Sequence, residues 1–120
     1  MARYHRKNSS DKDFLAFNKT KDYLHAKHLS LKWVKALFDW NDKIEPMAAC
    51  DKEVLIIQGD KDGTVDWKYN LGLMGKKFPK AKIEMIQGAN HELFNEALEY
   101  KQQALNFVGD YLKRTTESTE

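Results

Sequence analysis

Hydrophobic positions along the chain change period from one block to the next. Val54–Ile57 is an unbroken apolar run closed by Gln58-Gly59. Such a run, with no polar alternation, predicts a strand covered on both faces, as in a parallel sheet. The first strand is therefore placed at Glu53–Gly59. A second is predicted at Ala81–Ile86, with Ile83 and Ile86 apolar and Lys82 and Glu84 polar. Between them Asp66 stands where an N-cap begins a helix, which runs to about Lys77 and ends at Phe78-Pro79. Strand, helix, strand in that order predicts a βαβ unit with parallel strands and a right-handed crossover.

Two further blocks have the helical period. Ser30 is a good N-cap, and Leu31, Val34, Leu37 and Phe38 follow at helical spacing, flanked by Trp33 and Trp40. This aromatic face fits either core packing or the lining of an apolar pocket. The longest helix is predicted over roughly Asn95–Lys113, with Leu98, Leu105, Val108 and Leu112 as its stripe. Met1 to about Asp13 is polar, basic and without periodicity, which predicts a loop; Phe14–His28 predicts a broken helix or short turns.

Composition narrows the class without naming a function. The chain has 120 residues, 42% hydrophobic and 32% charged, with a formal net charge of +2, which suits one soluble domain. That balance gives no reason to expect nucleic acid as a partner, and Arg3, Arg6 and Lys7 read as a solvated end. No segment approaches the ~20 apolar residues of a membrane span, and no charged-then-apolar leader opens the sequence. The single Cys50 leaves no disulfide framework and suits a reducing compartment. The expected location is cytoplasmic. Two strands alone leave unpaired edges and little core. The chain is therefore expected to be the C-terminal part of a larger sheet, or to have the rest supplied by a partner.

In open α/β sheets the chemistry gathers at the carboxyl ends of the strands. There the first strand breaks into Asp60-Lys61-Asp62-Gly63, and the second into Gln87-Gly88-Ala89-Asn90-His91. A carboxylate after one strand and a histidine after the next suit an acid–base pair. Gly59-Asp60-Lys61-Asp62-Gly63-Thr64-Val65 resembles the Gly-x-x-Asp-x-x-Val turn after a late strand of α/β-hydrolases. Gly88-Ala89-Asn90-His91-Glu92-Leu93, with Asn95-Glu96 after it, resembles the histidine loop of their lysophospholipase and monoacylglycerol lipase branch. Leu29–Val34 resembles the end of that family's cap.

The resemblance implies a partial α/β-hydrolase fold, made of the last two parallel strands, flanking helices and the end of a helical cap. It divides the chain into a flexible or irregular segment 1–21, a cap-like helical segment and connector 22–52, a core portion 53–114, and a disordered tail 115–120. Asp62, not Asp60, is then the triad acid and His91 the general base, in the order Ser…Asp…His. The implied substrate is a small ester or lysolipid, with no cofactor and no metal. A nucleophile elbow Gly-x-Ser-x-Gly is absent, since Ser9, Ser10, Ser30 and Ser118 lack flanking glycines. The chain alone is therefore expected to be inactive, its serine coming from an N-terminal half. Asp60-Lys61-Asp62-Gly63-Thr64 also resembles the Asp-x-Asp-Gly-Thr signature of haloacid-dehalogenase-type phosphatases. That alternative makes Asp60 and Asp62 the carboxylates of a Mg²⁺-dependent site. A third alternative is a non-catalytic remnant that binds a partner through its open sheet edge.

Overall fold

The apolar run and its partner form the predicted parallel pair, β1 (Leu55–Gly59) and β2 (Lys82–Ile86). In register, Leu55 lies opposite Lys82 and Gly59 opposite Ile86. Both carboxyl ends therefore lie at one edge of the sheet. The computed structural model describes residues 7–24, 26 and 28–117. Among them, four α-helices and the two-stranded parallel sheet make a small mixed α/β domain. The helices are α1 (Lys12–Thr20), α2 (Leu31–Ile44), α3 (Trp67–Lys77) and α4 (Leu98–Glu117).

Side-chain caps set where these helices start. Ser30 accepts from the Lys32 N–H ahead of α2, and Asp66 accepts from the Tyr69 N–H at α3. Asp11 accepts from the N–H groups of Asp13 and Phe14, so α1 begins at Lys12, where the sequence pattern predicts loop up to about Asp13. The segment expected to be flexible or irregular thus contains a helix, and residues 8–11 ahead of it are irregular in path yet bonded to the rest of the domain. Residues 1–6 of that segment lie outside the described residues.

The last helix also differs from its prediction. A short 3-10 turn covers Leu93–Asn95, Glu96 is extended with ψ 169°, and α4 starts only at Leu98. The carbonyl of Ala97 accepts from Tyr100 and Lys101 and serves as the first helical acceptor. At the other end α4 runs on to Glu117, into the stretch expected to be a disordered tail; residues 118–120 lie outside the described residues.

The core is small. Ile86, Ala89 and Ala104 are its fully buried apolar residues, with Ile57, Leu93, Tyr100 and Phe107 packed against them. α4 therefore covers the sheet close to the carboxyl ends of the strands, and Tyr111 donates to the Glu53 carbonyl near the opposite end. None of the residues of α2 is buried. It is tied down near its C-terminal end, by the Tyr69 hydroxyl on Asn41 and by the Lys77 ammonium on the carbonyls of Glu45 and Met47. A radius of gyration of 16.7 Å, against about 14 Å for a close-packed chain of this length, agrees with that loose attachment. No helix among the described residues is long and apolar enough to cross a membrane.

Candidate functional site

The turns after β1 and β2 are laced together by backbone. The N–H of Asp60 donates to the Ile86 carbonyl at 3.3 Å, and that of Lys61 to the Ala89 carbonyl at 2.9 Å. Such closeness needs Gly59. A Cβ there would stand 2.5 Å from the Asn90 carbonyl oxygen and nearer still to that of Ala89. Gly88 makes the return turn at φ 89°, a region L side chains rarely enter.

Asp60 belongs to this lacing. Its Oδ1 accepts from the Gly88 N–H at 2.6 Å. Asp62 turns elsewhere. Its Oδ1 accepts from the N–H groups of Thr64 at 2.8 Å and Val65 at 3.3 Å, closing the turn on itself. Its Oδ2 accepts from Gln58 Nε2 at 3.1 Å and lies 2.8 Å from His91 Nδ1. The Asp62 side chain is 2% exposed and that of His91 39%. An acid sunk in the protein thus holds one face of a histidine that reaches solvent.

Burial pushes the Asp62 carboxyl up, but four hydrogen bonds outweigh it. Those from His91, Thr64, Gln58 and Val65 hold it below its ordinary value. An ionised carboxylate only accepts, so Nδ1 of His91 carries the proton in this pair. In the neutral ring Nε2 is then left with a free lone pair, and it makes no hydrogen bond to the described residues.

No protein-family model, curated protein or solved structure matches this chain. The site is defined by its own geometry. Asp62 and His91 are brought together across 29 positions of sequence. Asp60 is not brought to them, and Cys50 sits away from the pair, its N–H on the Lys77 carbonyl. No group of three or more His, Cys, Asp or Glu among the described residues is placed to hold a metal ion.

One residue of this region was missed by sequence reasoning. Glu96 is wholly buried, and its carboxylate gathers donors from Ser9, Ser10, Asn90 and Ala97. Burial raises its pKa, but bonds from Ser10 and Asn90 bring it down to about 2. In the sequence Glu96 stands only in the Asn95-Glu96 phrase, inside the expected last helix, with no role of its own. Two of its partners, Ser9 and Ser10, lie more than 80 positions away and had no signal at all. Chemically, the arrangement suits a general base whose tautomer is set by a buried acid.

Proposed function

We propose that this chain carries the acid and general base of a serine ester hydrolase of lysophospholipase or monoacylglycerol lipase type, its two strands being the last of a partial α/β-hydrolase sheet. The single observation that supports this most is the 2.8 Å bond from His91 Nδ1 to the buried Asp62, at the carboxyl ends of two parallel strands. His91 Nε2 would take the proton of a serine hydroxyl as it attacks the ester carbonyl. Asp62 would keep the ring in the right tautomer and stabilise the imidazolium. Serine and oxyanion donors come from polypeptide outside these residues. The substrate is a small ester or lysolipid. The separate engagement of Asp60 with Gly88 favours this reading over a Mg²⁺ phosphatase, which needs Asp60 and Asp62 on one site.

The test is labelling by a fluorophosphonate. The chain alone is expected to give no label and no turnover of a p-nitrophenyl acyl ester. Co-expressed with an N-terminal hydrolase half bearing Gly-x-Ser-x-Gly, it is expected to make that serine reactive, and His91→Ala abolishes the reaction. Labelling of the pure chain itself, or Mg²⁺-dependent phosphatase activity lost in Asp60→Asn, overturns the reading.

A further inference from the structure

We propose that Glu96 and the segment Asn8–Ser10 form a latch that positions His91, an inference that rests on reading Asp62 and His91 as an acid–base pair. The His91 ring makes one hydrogen bond, to Asp62, and is otherwise half-exposed. Its placement must therefore come from the backbone on either side of it. Both neighbours are pinned. Asn90, just before, gives its N–H at 2.6 Å and its side-chain amide at 2.9 Å to Oε1 of Glu96. Glu92, just after, gives its N–H to the Asn8 carbonyl at 2.8 Å and accepts from Asn8 Nδ2 at 3.1 Å.

The first pin ends on the Glu96 carboxylate, and the second reaches it through Ser9 and Ser10, which follow Asn8. Oε2 of Glu96 accepts from the Ser10 N–H at 2.6 Å, from the Ser10 hydroxyl, from the Ser9 hydroxyl at 3.4 Å and from the Ala97 N–H at 3.2 Å. Ser9 also bonds the Asn95 carbonyl at 2.7 Å, on the far side of the same loop. Every group facing Glu96 is a donor, so the position calls for a residue that only accepts. No ion pair among the described residues offsets its buried charge. Burying a charge on hydrogen bonds alone is costly, and an apolar side chain serves packing better. What the carboxylate provides is a fixed junction between the histidine loop and a segment more than 80 positions away. Glu96 is thus a positioning residue. It acts on the reaction through the direction in which the His91 ring is held.

The test reads the ring itself. In the full chain labelled with ¹⁵N-histidine, at a pH where the ring is neutral, long-range ¹H–¹⁵N correlations report which nitrogen bears the proton. The unsubstituted chain is expected to show His91 protonated at Nδ1. Glu96→Gln keeps the shape but turns an NH₂ toward donors. The tautomer ratio is expected to shift roughly tenfold toward that of a free imidazole, the size of one weakened hydrogen bond. Ser10→Ala is expected to shift it the same way by less. A folded Glu96→Gln chain, with the β1 and β2 amide signals in place and the tautomer unchanged, overturns the latch. If Glu96→Gln does not fold, Ser10→Ala decides by the same two outcomes. The readout needs neither serine nor ester, so the labelling experiment above can fail while the latch stands. An unsubstituted His91 with no preference for Nδ1 overturns both.

Discussion

Acid should open the junction at Glu96 before it unmakes the sheet. The carboxyl is held at about 2 in the folded chain against an ordinary 4.5, so folding favours its charged form. A group depressed on folding contributes stability that is present above its unfolded value and lost as pH falls toward the folded one. The window is therefore pH 4.5 down to 2, and the span corresponds to about 3 kcal/mol. Asp62, also held below its ordinary 3.8, adds to the loss in the same direction. About 3 kcal/mol is a large share of the roughly 5–15 kcal/mol that a domain commands, and here it is concentrated on segments 8–11 and 90–97. Hydrogen exchange by mass spectrometry, corrected for its intrinsic pH dependence, measures their opening. Between pH 4.5 and 2 the protection of those two segments should fall by roughly a hundredfold, well beyond any loss in β1 and β2. In Glu96→Gln most of the excess loss should vanish, because position 96 no longer titrates and only the smaller contribution of Asp62 is left. An equal pH response in the two chains, or protection lost uniformly from the whole sheet, would refute the argument.

Other outcomes follow from the same contacts. Gly59→Ala should cost about 1–3 kcal/mol and release His91 from Asp62, since its Cβ meets only backbone carbonyls; Gly63→Ala, with open space around it, should cost within about 0.5 kcal/mol. Equal effects of the two substitutions on the His91 tautomer would contradict this. The native chain should bind a hydrophobic dye at neutral pH through Leu31, Trp33, Leu37, Phe38 and Trp40, each at least 49% exposed. Trp33→Lys with Phe38→Lys should cut that binding severalfold without altering circular dichroism, and unchanged binding would place the dye elsewhere.

Where structure follows from local chemistry, the sequence was readable. The apolar run, expected as a strand over Glu53–Gly59, forms the parallel strand Leu55–Gly59, because its short β-branched stretch ends at a glycine. Ser30 and Asp66 cap helices because their side-chain oxygens satisfy N–H groups that no turn ahead of them can reach. The βαβ order put a carboxylate turn and a histidine turn at one edge, while the choice of Asp62 over Asp60 rested on the resemblance of the two loops alone. What escaped was long-range and polar. Asn8, Ser9 and Ser10 look like solvated residues in a basic stretch, yet Asn8 is bonded to Glu92, and Ser9 and Ser10 to the Glu96 carboxylate, 86 positions on from Ser10. The same carboxylate explains the late start of α4, since Glu96 is extended to reach its donors instead of coiling with Asn95 and Ala97. Hydrophobic periodicity carries no trace of such a junction, because it reports burial of apolar surface alone.

The central claim is that Asp62, and not its neighbour Asp60, acts through His91. Its most direct test compares Asp62→Asn with Asp60→Asn in the proposed complex with an N-terminal hydrolase half bearing Gly-x-Ser-x-Gly, by kcat on an acyl ester. Asp62→Asn leaves an amide facing Nδ1 and favours the wrong tautomer, so kcat should fall roughly 10⁴-fold. Asp60→Asn still offers an oxygen to the Gly88 N–H and should stay within about tenfold of the unsubstituted enzyme. A loss in Asp60→Asn equal to or larger than that in Asp62→Asn would contradict the account.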